Sequence, residues 1–202
     1  MTRTNYHHGA LREALLTATI ELIESEGIGA VSLRQVARAA GVSPGAPYHH
    51  FVDRAALLTA LSDEGYRRLA VALREAAGAA ATPDGALTAI IEGYVLFASR
   101  NPAYFQVMFR PELKRSQKSQ QGEEFGADAF AVLDDTVAAC MAAGVMRPVD
   151  ENVLALTLWS LVHGLASLWL DGQLADRTDD PAELTRQIAR LVTTFLVRAE
   201  PA

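Results

Sequence analysis

The sequence has little of what most enzymes and secreted proteins need. Cys140 is the only cysteine among 202 residues, so an internal disulfide is excluded, as is usual in a reducing compartment. No run of eighteen uncharged apolar residues is present, and residues 1–10 lack the apolar segment of a signal peptide. We therefore expect a cytoplasmic protein without a membrane span.

Motifs of known enzyme chemistry are absent as well. The sequence has no His-Glu-x-x-His pair, no paired cysteines and no repeated Glu-x-x-His of a di-iron bundle. It also has no phosphate-binding loop and no nucleophile elbow. The sequence thus predicts no enzyme, no metal and no cofactor. A carrier of a small ligand, or a module that binds a protein partner, stays open as an alternative to DNA binding.

Charge is unevenly distributed along the chain. The formal net charge of −6 by itself argues against nucleic acid as a partner. Residues 1–54 are nonetheless balanced, with five arginines and five acidic residues. Within residues 31–54, Asp53 is the only acidic residue beside three arginines and two histidines. The least acidic segment is therefore the candidate for contact with DNA.

Helical periodicity dominates the sequence, and alternating strand patterns are absent. Residues 9–26 carry an apolar stripe that predicts a first helix, and Gly27 ends it. Ser32 and Gln35 have capping-box spacing at the start of a second helix, which Gly41 ends in a tight turn. We therefore predict an all-α protein.

The segment after Gly41 completes a helix-turn-helix pattern. Ser43 caps a short third helix with Pro44 in its first position, and Asp53 starts a long fourth helix. A sharp glycine turn, apolar contacts between the helices and small outward residues suit a helix that enters the major groove. The predicted domains are residues 1–54, a helix-turn-helix domain that binds DNA, and residues 55–202, a larger helical domain.

Cap signals divide the rest of the chain into further helices. The predicted helices are 83–100, 101–109, 123–143, 150–171 and 180–198, with a polar loop at 111–122. The helix at 150–171 is apolar on two faces, so it needs cover on both. A two-fold interface with the last helix supplies that cover in a homodimer; a fully internal helix in a monomer is the alternative.

Two runs resemble the TetR family of one-component repressors: Ser32 to Ser43, and Tyr48 to Leu58. The segment from Leu158 to Ala166, which contains Trp159, His163 and Gly164, resembles the family's Trp-His-Gly C-terminal subgroup, as does Tyr6 to Gly9. The resemblance implies an all-helical homodimer that binds DNA through its N-terminal domain and a small molecule through its C-terminal domain.

The resemblance also implies roles for individual residues on DNA. The implied DNA-binding residues are Ser32, Arg34, Ser43, Gly45, Ala46, Tyr48, His49 and Arg54. Arg34 would read a base edge, guanine in particular; Ser43, Gly45 and Ala46 would face bases; the others would contact phosphate or sugar. Arg54 stands where the family usually has lysine. Pro47 departs from the family pattern and predicts an irregular third helix, because proline lacks an N–H and disfavours helical geometry at the residue before it.

The larger domain has two further predicted sites. Ligand-pocket candidates are Tyr66, Tyr94, Phe97, Tyr104, Phe105, Met108, Phe125, Trp159 and His163. Dimer-interface candidates are Leu158, Leu161, Leu165, Leu168, Ile188, Leu191 and Phe195. Trp159 and His163 share one helix face, and Tyr94 is placed to join them. His163 is either a ligand contact or a core histidine.

These features predict a ligand-responsive, DNA-binding transcriptional regulator. We expect a repressor that binds double-stranded DNA at a palindromic operator and is released by a small-molecule inducer, which shifts the long helix at 53–77.

Overall fold

A computed structural model describes the backbone of residues 4–110, 120–178 and 180–196. It describes side chains over residues 10–110, 126–178, 180 and 182–196. Within these ranges the chain is all-helical and has no β-strand, as predicted. The helices are α1 (Thr4–Glu26), α2 (Leu33–Ala39), α3 (Arg54–Gly78), α4 (Pro83–Arg100), α5 (Pro102–Met108), α6 (Gln120–Ala142), α7 (Glu151–Leu170) and α8 (Pro181–Leu196). Short 3-10 segments lie at Ile28–Ala30 and Ala46–His49.

Aspartate caps fix the starts of three helices, as the sequence predicts. Oδ1 of Asp53 accepts from the backbone N–H of Ala56 at 2.8 Å at the start of α3. Oδ1 of Asp150 accepts from Val153 at 2.9 Å before α7, and Oδ1 of Asp180 accepts from a backbone N–H of α8 at 3.0 Å. Each carboxylate satisfies a helix N–H that has no partner within its helix.

Two helices begin earlier than the sequence predicts. Helix α1 begins at Thr4 rather than at residue 9, and α6 begins at Gln120 rather than at residue 123. Most of the predicted loop at 111–122 lies outside the described residues, as do the last residues of the predicted final helix. Polar residues carry little periodic signal, so helical turns without an apolar stripe are not evident from the sequence.

The described residues divide into two compact units. Unit 1 comprises those of Met1–Gly65 and Pro102–Glu123, and unit 2 comprises those of Tyr66–Asn101 and Glu124–Ala202. The sequence places its domain boundary at residues 54 and 55, whereas the compact units divide the chain inside α3 and add α5 to the first unit. The core of unit 1 includes Leu15, Val36, Phe51, Leu57, Leu61 and Met108; that of unit 2 includes Leu87, Val137, Cys140, Ala155 and Leu158.

Helix α5 packs within unit 1 against α1 and, at Gly65, against α3. A Cβ atom at Gly65 would lie 2.7 Å from Sδ of Met108 and 3.3 Å from Cδ1 of Tyr104. Both of these side chains are buried. The absence of a side chain at Gly65 therefore lets α5 lie directly on the backbone of α3.

Helix α7 is the most apolar helix of the described chain. Glu151–Leu170 is long and apolar enough to cross a membrane by length and composition, although the sequence predicts no span. The same test is passed by core helices of proteins that never enter a membrane. Only 28% of its most apolar stretch is buried in the protomer. Much of its apolar surface is therefore exposed in the protomer.

Candidate functional site

The second helix begins with the predicted serine cap. Oγ of Ser32 accepts from the backbone N–H of Gln35 at 3.2 Å and donates to Oε1 of Gln35 at 2.9 Å. The second bond differs from the predicted capping box, in which the Gln35 amide would reach the Ser32 backbone N–H. The hydroxyl has one hydrogen to donate, and Gln35 takes it. Contact of Ser32 with a phosphate stays a prediction.

A glycine turn connects α2 to the next segment. Gly41 has a φ of +68°, a left-handed conformation that a residue without Cβ adopts readily. The backbone N–H of Val42 donates to Ala37 at 3.0 Å and closes the turn. Val36 and Phe51 are buried on either side of it, as the helix-turn-helix pattern requires.

The predicted third helix is a single 3-10 turn, Ala46–His49, which we call the recognition turn. Pro47 has no N–H to donate to the carbonyl of Ser43, which an α-helix would require. The N–H of Ala46 donates to that carbonyl instead, at 3.0 Å. The Pro47 ring is fully buried and anchors the turn. The irregularity predicted from Pro47 therefore extends through the whole segment.

Most of the predicted DNA-binding residues lie on the surface of unit 1. The exposed members are Arg34, Ser43, Gly45, Tyr48, His49 and Arg54, whereas Ser32 and Ala46 are half-buried. Tyr48 exposes 53% of its surface, so its phenol is not part of the core. These positions suit contact with DNA, and the individual contacts stay predictions.

Arg54 has an internal role that the sequence did not predict. Its Nε donates to the carbonyl of Val31 at 2.8 Å, and its Nη2 donates to the carbonyl of Ile28 at 2.9 Å. The predicted role was a phosphate contact. Local spacing in the sequence could not have revealed the internal role, because the two carbonyl partners of Arg54 lie 23 and 26 residues earlier in the chain.

Arg12 is a second cation that is held within unit 1. Its guanidinium lies 5.9 Å from the centre of the Phe51 ring, a cation–π distance. This contact joins α1 to Phe51, two residues after the end of the recognition turn. No sequence signal indicated it, since cation–π pairs between distant residues have no fixed spacing.

A hydrogen-bonded aromatic cluster occupies unit 2. The hydroxyl of Tyr94 lies 2.9 Å from Nδ1 of His163, and Trp159 also hydrogen-bonds Tyr94. An indole nitrogen only donates, so the Tyr94 hydroxyl accepts from Trp159. Phe130 packs edge-on against Trp159, with ring centres 5.9 Å apart.

Burial sets the acidity of the phenols in unit 2. Burial raises the pKa of Tyr66 to about 12. The pKa of Tyr94 is raised further, chiefly by burial and slightly by Tyr66, while the hydrogen bond from Trp159 lowers it in part. Both phenols are therefore neutral hydrogen-bonding groups at neutral pH.

The nine ligand-pocket candidates do not all lie in one unit. Tyr104, Phe105 and Met108 belong to unit 1, where they are buried. Tyr66, Tyr94, Phe97, Trp159 and His163 belong to unit 2, and the structure brings Tyr94, Trp159 and His163 together. The side chain of Phe125 lies outside the described residues. A ligand pocket stays a prediction.

The dimer-interface candidates are mostly on the protomer surface. Leu161, Leu168, Leu191 and Phe195 are exposed by 40%, 47%, 57% and 71%, and Leu165 and Ile188 are half-buried. Leu158 corrects the prediction: only 2% of it is exposed, because it faces the core of its own protomer. Val153 and Leu156, which were not predicted, are exposed beside this surface by 59% and 42%.

Family comparisons agree with the helix-turn-helix geometry. Residues 15–61 match the family described as bacterial regulatory proteins, tetR family. Residues 87–192, more than half of the chain, match the tetracyclin repressor-like C-terminal domain. The chain belongs to the TetR family. Members of this family are DNA-binding transcriptional regulators and not enzymes, so the all-helical, DNA-binding prediction is confirmed.

Similar TetR-type regulators and structures span nearly the whole chain. The HTH-type transcriptional regulator BetI of Cronobacter sakazakii is 30% identical over 95% of this chain and 91% of its own length. A Rhodococcus sp. RHA1 protein of unknown function has a TM-score of 0.83 and 33% identity, covering 97% of this chain and 100% of that one. Bacillus subtilis FadR, solved with stearoyl-CoA, shares the fold with a TM-score of 0.74 at 17% identity, covering 90% and 97%.

Proposed function

We propose that this TetR-family protein is a cytoplasmic repressor that binds a palindromic operator as a homodimer and is released by a small-molecule inducer. The proposal rests on one surface of unit 1, formed by Arg34, Tyr48 and His49, which we call the reading surface. These three residues are exposed, and the apolar core of unit 1 is formed by other side chains. Polar groups that are exposed on a rigid helix-turn-helix suit contacts with phosphates and base edges.

The apolar surface of unit 2 supports the homodimer. Helix α4 packs against both α7 and α8 from one side, so the opposite faces of these two helices are left exposed. The exposed hydroxyls of Thr157 and Ser160 each donate to a carbonyl of their own helix, both at 2.7 Å. The surface therefore presents few polar groups that need water, as a dimer interface requires. Two copies place their reading surfaces on one palindrome.

The aromatic cluster of unit 2 supports a ligand-binding role. Tyr94 and His163 supply polar groups beside the rings of Trp159 and Phe130, a combination typical of sites for small molecules. Helix α3 runs from Arg54 through Tyr66 to Gly78, so one continuous helix connects residues of both units. A ligand that shifts α3 would change the spacing of the two reading surfaces. Ligand and DNA would then weaken each other's binding by the same factor.

A binding assay with the DNA upstream of the protein's own gene tests the proposal. We expect the purified chain to shift this DNA at low salt, and Tyr48→Ala to weaken binding at an unchanged melting temperature. Val149→Ala, which changes an exposed apolar residue of unit 2, is the matched control and should bind as the parent does. A parent chain that shifts no DNA at low salt contradicts the proposal.

Ligand release is tested separately. A thermal-shift screen of metabolites first identifies a compound that stabilises the protein, and that compound is then titrated into the protein–DNA complex. We expect the operator affinity to fall as the compound saturates. An unchanged operator affinity at saturation would overturn release while leaving DNA binding intact.

A further inference from the structure

The guanidinium group of Arg54 is committed to the backbone of its own unit. Its Nε and Nη2 donate to two carbonyls, those of Val31 and Ile28, at 2.8 and 2.9 Å. Both partner residues are buried, so the carbonyls lie in the packed part of the unit. A planar guanidinium presents its N–H groups in a fixed fork, whereas an ammonium group is a single point. Arginine is therefore suited to hold both carbonyls at once.

The two ends of this contact lie on either side of the recognition turn. Val31 immediately precedes Ser32, which caps α2, and Arg54 is the first residue of α3. The Arg54 bonds thus join the start of α2 to the start of α3. They hold the starts of these two helices together, and the recognition turn, Ala46–His49, lies between α2 and α3 in the chain.

Arg34 and Arg38 make no hydrogen bonds of the kind that Arg54 makes to the backbone. They lie four residues apart on α2, so their side chains share one face of that helix, one turn apart. Both are exposed, and neither makes a hydrogen bond or an ion pair with any described residue. Arg12 is placed over Phe51. Among the arginines from residue 10 to residue 65, the pair on α2 is the one whose guanidinium groups make no hydrogen bond, ion pair or ring contact with a described residue, so both groups are left for an external anion.

We propose that Arg38, rather than Arg54, supplies the phosphate-binding cation beside Arg34, and that Arg54 is a positioning residue for the recognition turn. This inference rests on DNA binding by unit 1. It predicts that losing the Arg38 charge removes an electrostatic contact, whereas losing the Arg54 fork disturbs the geometry of every contact that the turn makes.

The salt dependence of DNA affinity separates these two effects. The logarithm of the binding constant falls linearly with the logarithm of salt concentration, with a slope of about −0.9 for each phosphate contact. We would measure this slope by fluorescence anisotropy with the full chain and its upstream DNA. The variants are R38Q, R54K and R54Q, and R100Q, which removes an exposed arginine of unit 2, is the control.

We expect R38Q to reduce the slope by about 0.9 per contact and to leave the melting temperature unchanged. R54K keeps the charge but loses the fork, so we expect roughly tenfold weaker binding at every salt concentration, a lower melting temperature and the parental slope. R100Q should match the parent in salt slope, DNA affinity and melting temperature. All variants are compared below the unfolding transition of the least stable one, as followed by circular dichroism.

Two results would overturn the inference. One is an R54K variant that matches the parent in affinity and melting temperature, together with a smaller slope for R54Q. The other is an R38Q variant with the parental slope. Failure of the underlying DNA-binding function looks different, because the parent chain itself would then show no salt-dependent binding.

Discussion

The hydroxyl group of Tyr94 and Nδ1 of His163 lie 2.9 Å apart, although 69 residues separate them in the sequence. The bond joins α4 to α7 inside unit 2. Together with the bond from Trp159, it gives the phenol two hydrogen-bond partners, so the Tyr94 hydroxyl is satisfied in an apolar environment.

Removing this hydroxyl should destabilise unit 2. Tyr94→Phe removes the hydrogen bonds to His163 and Trp159, so we expect the free energy of unfolding to fall by about 1–3 kcal/mol in urea denaturation. A double-mutant cycle with His163→Leu tests the contact itself. We expect a coupling energy of at least about 0.5 kcal/mol, and strictly additive losses would show that the pair does not interact in solution.

The buried phenols should make the protein sensitive to alkali. Burial raises the pKa of Tyr66 from 10.0 to about 12 and raises that of Tyr94 as well. A group whose pKa is raised on folding holds its proton more tightly in the folded state. Its contribution is therefore complete below pH 10 and is lost as the pH rises above that value, at up to about 1.4 kcal/mol per pH unit for each tyrosine.

Urea denaturation at a series of alkaline pH values measures this dependence. Tyr66→Phe should flatten the decline between pH 10 and about 12, the folded pKa of Tyr66. Tyr48→Phe, which alters an exposed tyrosine, is the matched control and should leave the curve unchanged. Equal alkaline curves for Tyr66→Phe and the parent would contradict the burial of that phenol.

A methyl group at Gly65 should destabilise unit 1. The added Cβ would lie 2.7 Å from Sδ and 2.8 Å from Cγ of the buried Met108. We expect Gly65→Ala to lose about 1–2 kcal/mol of unfolding free energy, because overpacking outweighs the better helix propensity of alanine. Gly126→Ala, on an open helical position, should gain up to about 1 kcal/mol instead.

Met108→Ala provides the internal check on this contact. It removes the two closest atoms and leaves Cδ1 of Tyr104 at 3.3 Å, so adding Gly65→Ala to it should cost less unfolding free energy than it does in the parent. An unchanged penalty in the Met108→Ala background would mean that the cost arises elsewhere.

A charge on the exposed face of α8 should separate the proposed homodimer. Leu191→Glu and Phe195→Glu each place a carboxylate where the partner would bury it without a compensating charge. We expect light scattering after gel filtration to show a dimer for the parent and a monomer for each variant. Val71→Glu, on an exposed apolar residue of α3, should stay dimeric. A dimeric Phe195→Glu variant would exclude this face as the interface.

The sequence by itself determined the helices, their aspartate and serine caps, and the glycine turn of the DNA-binding unit. These features depend on hydrogen bonds over three or four residues and on a periodic apolar stripe, both of which can be read from local spacing. Pro47 belongs to the same class, because the hydrogen bond that it removes is also local. The family match then supplied the DNA-binding function.

Only the tertiary structure decided which side chains already contact other residues of their own protomer. Arg54 has the positive charge that a phosphate contact needs, yet two of its N–H donors bind carbonyls more than twenty residues earlier in the chain. Leu158 shares an apolar stripe with Leu161, yet Leu158 is core and Leu161 is surface. A helix that is apolar on two faces does not encode which face its own protomer covers; that follows from how α4 packs against it.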